Sequence, residues 1–177
     1  MKEIIIDTET TGLDLKKDRI IEVACIELID GKRTSRKYHS YFNPRPARVS
    51  RTALEVHSIS NKFLSDKPLF KDKADQFLDF INAHTLLAHN ARFDASMLNQ
   101  ELERAGKPSI PSHRWLDTFK IAKSLFPGKK ASLAALCKYF SIKAETSVHS
   151  ATRDCELLLQ VYEAMLEERR RAALALA

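Results

Sequence analysis

The sequence predicts one α/β domain, a mixed sheet with helices packed on it. Three observations carry this. Residues 1–42 contain three β-rich stretches with a hairpin signal between the second and third. From Ser50 onward apolar residues recur mainly at helical spacing, interrupted by two short strand-like segments. Pro and Gly are few and no stretch has linker composition, so the 177 residues read as a single unit, residues 1–177, long enough to bury a real core. A three-stranded meander followed by alternating strands and helices points to a mixed sheet with helices packed on it.

Lys2–Thr8 carries the run Ile4-Ile5-Ile6 and stops at acid, which suits a buried central strand. Arg19–Ile29 is β-branched and apolar apart from Glu22 and Glu27, and Asp30-Gly31 signals a tight hairpin into Arg33–Phe42. The basic side chains of that third strand suit an exposed edge. Ser50–His57 reads as a short helix with Ser50 as its cap. Phe70–Ala83 has Phe70, Ala74, Phe77, Leu78 and Ile81 at helical spacing, and Thr85–Ala88 is a short buried strand. Arg92–Ala105 is helical, with Gly106 as its terminating residue. His113–Leu116 is a fifth, short strand. Asp117–Phe126 and Leu133–Phe140 are helices separated by Pro127-Gly128 and opened, in the second case, by Ser132. The last helix, about 150–171, has Ala151, Cys155, Leu158, Tyr162 and Met165 as a core-facing stripe, with about 168–177 expected to fray.

Composition narrows the function classes. Apolar residues make up 44% and charged residues 29%, and no apolar run is long enough to span a membrane. The start meets acid at once and has no apolar targeting region. Cys25, Cys137 and Cys155 are odd in number and lack a C-x-x-C spacing. A reduced cytoplasmic protein with no membrane contact is the expectation. The net charge of +6 is uneven. Residues 1–31 hold four basic and eight acidic residues; residues 32–51 hold seven basic and none acidic. A basic strip beside an acidic cluster suits either a polyanion such as nucleic acid or a solvated face.

The acidic cluster is where chemistry concentrates. Strand side chains alternate, so Asp7 and Glu9 point the same way at the end of a buried strand. Two like charges held there repel and are poorly solvated, and a divalent cation is the simplest remedy. A second segment, His89-Asn90-Ala91-Arg92-Phe93-Asp94, follows the fourth strand and opens a helix. A third, His149-Ser150-Ala151-Thr152-Arg153-Asp154, opens the last one. Singly, each has an ordinary reading as a strand end, a helix-dipole acid or a surface histidine. Together Asp7, Glu9, Asp94, His149 and Asp154 supply four carboxylates and a base, the equipment of metal-assisted phosphodiester hydrolysis. Gly128-Lys129-Lys130 lacks the other elements of a phosphate loop, and no Cys/His pairs have zinc spacing.

D-T-E-T-T-G, then H-N-x-x-F-D, then H-x-x-x-x-D resembles, in order and interval, the three motifs of the DEDDh (DnaQ-like) 3′→5′ exonucleases over about residues 3–165. The resemblance is strongest to the epsilon-type proofreading subunits of bacterial DNA polymerase III. Supporting stretches are Ile20–Val23, Val56–Ile59, Leu64–Pro68 and Phe126–Lys130. The resemblance implies a ribonuclease-H-like fold, a five-stranded mixed sheet flanked by helices, and removal of nucleoside 5′-monophosphates from single-stranded DNA or a frayed 3′ end. It implies two divalent cations, Mg2+ or Mn2+, with Asp7, Glu9 and Asp154 as ligands, Asp7 serving both ions. Asp94 then acts mostly through water, and His149 is the general base. Thr10, Thr11, His57, His89 and Phe93 are expected to line the nucleotide pocket. Thr52 departs from the family, whose epsilon-type members often carry a substrate-touching Glu there. A DNA polymerase III alpha subunit is the implied partner. The family's usual polymerase-gripping extension is not seen before Ala177, so a stand-alone enzyme or a different polymerase contact is expected. Two rivals stand beside this reading: an RNA-directed enzyme of the oligoribonuclease or ribonuclease T type, and a non-catalytic polymerase- or nucleic-acid-binding module. The first usually departs from D-T-E-T-T-G, and the second predicts loss of at least one of the five residues.

Overall fold

A computed structural model describes residues 1–144 and 148–175. Its sheet has five strands: β1 (Lys2–Thr10), β2 (Ile20–Ile29), β3 (Lys32–Tyr41), β4 (Thr85–Ala88) and β5 (Trp115–Asp117), in the order β3-β2-β1-β4-β5. β1 pairs antiparallel with β2 and parallel with β4; β2–β3 is antiparallel and β4–β5 parallel. The helices are α1 (Arg51–His57), α2 (Asn61–Leu64), α3 (Phe70–Ile81), α4 (Ala91–Arg104), α5 (Thr118–Leu125), α6 (Leu133–Tyr139) and α7 (Ala151–Ala175).

Alternation along β1 explains the layers. Ile4 and Ile6 enter one core with Phe70, Phe77 and Ile81 of α3 and Met97, Leu98 and Leu102 of α4. Ile5 enters the other, with Ala122 of α5, Leu136 of α6 and the α7 stripe Ala151, Cys155, Leu158, Tyr162, Met165. The three isoleucines are wholly buried because both faces of the sheet are covered. Even positions of β1 therefore face α3 and α4, and odd positions face α7.

Caps and turns fall where the side chains dictate. Asp30 and Gly31 both take positive φ, 52° and 74°, which closes the β2–β3 hairpin with matching twist. β3 is an edge strand with only Tyr38 buried. Ser50 caps α1 through Ala53 N–H, and Ser132 caps α6 through Ala135 N–H. α4 ends with Gly106 at φ 66°, Lys107 N–H returning to the Leu102 carbonyl and Gly106 N–H to that of Glu103.

Four boundaries differ from expectation. β1 runs two residues further, to Thr10, so Glu9 stays within the ladder opposite Glu22. The four-residue α2 has no helical period to announce it. Residues Ser112–Arg114 form a 3₁₀ turn, leaving β5 to begin at Trp115. α7 is continuous through Arg169–Arg171 to Ala175, where fraying was expected; residues 176–177 lie outside the described residues.

Candidate active site

The five motif residues converge where β1, α4 and α7 meet. Asp7 and Glu9 share the odd face of β1 with Ile5 and look toward α7. Asp154 comes from the first turn of α7, and its Oδ2 lies 2.8 Å from Nδ1 of His149. The His149 backbone N–H is tied to the Val56 carbonyl at 3.1 Å, joining the segment before α7 to α1. Asp94 enters in the first turn of α4 and accepts a 2.8 Å hydrogen bond from the Thr8 hydroxyl, on the even face of β1.

Glu22 fixes the start of α7. It is wholly buried on β2, directly opposite Glu9. Its Oε2 accepts the Ala151 N–H at 3.1 Å, and its Oε1 lies 2.8 Å from Nε2 of His39 on β3. A carboxylate on the first turn of a helix satisfies an otherwise orphaned donor and complements the dipole.

The cluster is short of positive charge. Burial pushes Asp7 well above the ordinary carboxylate range, reinforced by Asp94, Asp154, Glu9 and Glu22. Burial raises Glu9 to about 8, with Asp154, Glu22 and Asp94 adding to it. Asp94 rises to about 7 by burial, against the opposing hydrogen bond from Thr8. Ligand atoms of Glu9, His149 and Asp154 lie within 4.8 Å of one another, close enough to share one ion. Oxygen donors in such numbers, held close and poorly solvated, fit a hard divalent cation.

Beside Glu9 a cavity of about 460 Å³ is lined by Thr10, Gly12, Thr52, Val56 and His57 among others. The register of β1 against β2 shifts between Glu9 and Thr10, which turns the chain away from the ladder at the cavity mouth. The Thr10 hydroxyl donates to the Gly12 carbonyl at 2.7 Å. The Thr10 carbonyl accepts from Nε2 of His57 at 3.2 Å, while Nδ1 of His57 accepts the Ile59 N–H at 3.0 Å. Both ring nitrogens are thus used by backbone, the Nε2–H tautomer is specified, and burial lowers the His57 pKa. Thr11 is fully buried and donates to Asp18 at 2.6 Å. A Cβ on Gly12 would come within 2.5 Å of Asp18 Oδ2, so a side chain there must push the Asp18 carboxylate aside.

Of the expected pocket residues, the structure brings Thr10 and His57 to this cavity. Thr11 lies beneath it, bracing the turn. His89 is turned toward α5, its Nδ1 3.0 Å from the Thr118 hydroxyl and its ring edge-on to Phe119. Phe93 packs on the Ile4/Ile6 core. The basic strip is partly consumed by acids: Arg33 pairs with Glu156 and Arg36 with Glu27, each at 2.6 Å, and Arg51 with Glu55 at 3.0 Å. Sequence reasoning missed Thr8, Glu22 and His39. A buried Glu amid an apolar strand was a visible signal; its partners, 17 and 129 residues away, were not.

Residues 4–162 match the exonuclease family RNase_T. The DNA polymerase III subunit epsilon of Rickettsia felis is 43% identical over 167 residues, covering 92% of this chain and 72% of that protein. The solved structure of Exonuclease X in complex with 5′ overhanging duplex DNA superposes with a TM-score of 0.72 at 30% identity, covering 93% of this chain and 91% of the other. The nuclease domain of 3′hExo, a DEDDh family member bound to rAMP, gives 0.80 at 15% identity over 94% and 92%, a likeness of fold alone. With the sheet order, the DEDDh residues and these relatives in agreement, the chain belongs to the RNase_T exonuclease family and has the ribonuclease-H-like fold of its DEDDh members.

Proposed function

We propose that this chain is a 3′→5′ DNA exonuclease that releases nucleoside 5′-monophosphates and proofreads in DNA replication, as an epsilon-type subunit beside a DNA polymerase III alpha subunit in the cytoplasm. The observation that carries the reading is the convergence of Asp7, Glu9, Asp94, His149 and Asp154 at one end of β1, next to a nucleotide-sized cavity.

Asp7, Glu9 and Asp154 would hold two divalent cations, Mg2+ or Mn2+. Bound there, the cations make water more acidic and neutralise charge developing on the phosphate. The protein's own groups do the rest. Donation from Nδ1 of His149 to Asp154 orients the ring and leaves Nε2 to take the proton of the attacking water. Thr8 holds Asp94 at the rim of the cluster. The terminal nucleotide enters the cavity bounded by Glu9, Thr10, Val56 and His57. Entry requires an unpaired end, and unpairing costs least at a mismatch, which is the physical basis of proofreading.

The test offers labelled single-stranded DNA, a 3′-mismatched duplex, a matched duplex and short RNA, with Mg2+, Mn2+ or EDTA. The expected outcome is stepwise loss of 3′ mononucleotides from DNA, faster at the mismatch and abolished by EDTA. Activity in EDTA, or full activity in Asp7→Ala, would sink the mechanism. Preference for short RNA would move the substrate, and failure to co-purify with an alpha subunit would remove the replication role.

A further inference from the structure

We infer that the α5–α6 segment carries a binding face for the single strand behind its 3′ end, built from Lys129, Lys130 and Lys138 around Tyr139. This rests on the exonuclease reading for the polarity of the strand, and on independent observations for the surface. Residues 118–144 contain six lysines and no Asp or Glu. Among the described residues none of the six has an ion-pair partner, whereas Arg33, Arg36 and Arg51 of the 32–51 strip are paired with acids. Lys32, Lys37, Arg45 and Arg48 of that strip also lack an ion pair among the described residues, so what sets 118–144 apart is six lysines with no acid among them.

The lysines surround an aromatic platform. Phe126, Leu136 and Tyr139 with Lys129, Lys130 and Lys138 line a depression of about 250 Å³. Tyr139 is 45% exposed. Its ring is braced by Phe126 at 5.0 Å and edge-on by Phe140 at 4.9 Å, with Lys129 Nζ 4.1 Å from its centre. An exposed ring held by two others, with cations around it, matches what single strands bind: a stacking surface for a base and charges for its phosphates. Lysines scattered for solubility need no such ring.

The face adjoins the active site. Leu133, Ala134 and Cys137 of α6 line a second depression, of about 270 Å³, together with His149 and Asp154. The lysine face lies on the other side of the same helix, a separation of about 10–12 Å, one helix diameter. A strand with its end at Asp154 reaches the face within a few nucleotides, while a dinucleotide does not.

The experiment measures binding of a fluorescent oligothymidylate about 15 nucleotides long in EDTA, as a function of salt, with KM for the same strand and for a dinucleotide measured separately in Mg2+. The proteins compared are the parent, the triple variant Lys129→Gln/Lys130→Gln/Lys138→Gln, Tyr139→Ala, Tyr139→Phe and, as a control on the other strip, Lys37→Gln. Three phosphate contacts contribute about 2 to the slope of log K against log salt, and the triple variant should lose that amount. Tyr139→Ala should bind about fivefold or more weakly, and Tyr139→Phe should bind as the parent does. The KM increase should be confined to the long strand, and Lys37→Gln should leave the slope unchanged. A parental slope and KM in the triple variant, or an equal loss on the dinucleotide, overturns the inference. Binding is read without turnover, so a parent that shows the lysine-dependent slope yet degrades no DNA would fail the exonuclease reading and leave this surface standing.

Discussion

Glu22 braces the proposed metal-binding set without belonging to it. Both of its oxygens are engaged, one at the first N–H of α7 and one at His39, and it has no access to water. Glu22→Ala would orphan a buried N–H and leave a cavity; we expect a loss of about 2–4 kcal/mol in urea denaturation. Glu22→Gln keeps the shape and an acceptor for Ala151, so its cost should be nearer 1 kcal/mol. Removing the charge also removes one of the repulsions that raise Glu9. The pH midpoint for cation binding should therefore move down in Glu22→Gln, which isothermal titration across pH will show. Gly12 offers a steric counterpart. Its added Cβ would displace the Asp18 carboxylate that holds Thr11 and the Asp14 N–H. Gly12→Ala should cost about 1–3 kcal/mol and weaken nucleotide binding, as measured by melting with and without a nucleoside monophosphate.

At the scale of elements, the turn between β1 and β2 is held from outside by α4. Glu101 is buried and receives Arg19 through Nε and, at 2.8 Å, through Nη2. Arg104 reaches the same carboxylate at 3.0 Å and also binds the Lys16 and Asp18 carbonyls. Breaking one partner of a buried ion pair is far costlier than never having it, so Glu101→Ala should lose about 3–5 kcal/mol. Limited proteolysis should then cut first between Leu13 and Lys17. This staple was illegible in the sequence, since Arg19 and Glu101 stand 82 residues apart with no local pattern linking them. What was legible had a short-range cause. Ile4–Ile6 marked a strand covered on both faces, the period of two put Asp7 and Glu9 on one side, and the α7 stripe placed Asp154 at the edge of the buried face. The pocket was less legible because side-chain direction is set by distant neighbours. His89 follows Thr118 and Phe119, and His57 is spent on backbone atoms of Thr10 and Ile59.

For the whole molecule, the carboxylate cluster should make stability depend on pH and metal together. Asp7, Glu9 and Asp94 have raised pKa values in the folded protein, Glu9 at about 8 and Asp94 at about 7. A raised acid favours the native state only while it stays protonated. That contribution is whole below about 4, where the unfolded carboxylates are protonated too, and is lost as pH rises through the folded values. Buried His57 and half-buried His89, lowered by desolvation, act in the opposite sense below about 6.5, where folding must keep them neutral. Above about pH 7 the histidines drop out, and the cluster acts in the same direction as the buried thiols of Cys25, Cys137 and Cys155, which burial also raises. In EDTA the melting temperature should fall between about pH 7 and 8.5. A divalent cation held by the ionised cluster, as proposed, should raise the melting temperature more at the upper end, where protons no longer compete. Glu9→Gln removes a buried charge with nothing to neutralise it, so in EDTA at about pH 8 it should melt higher than the parent. It should also lose most of the cation response and the nuclease activity. A flat profile in EDTA, or a Glu9→Gln protein less stable than its parent at that pH, would mean that the carboxylates are already neutralised within the fold. The opposite result would show that this protein gives up stability in the absence of metal to keep a site that only metal completes.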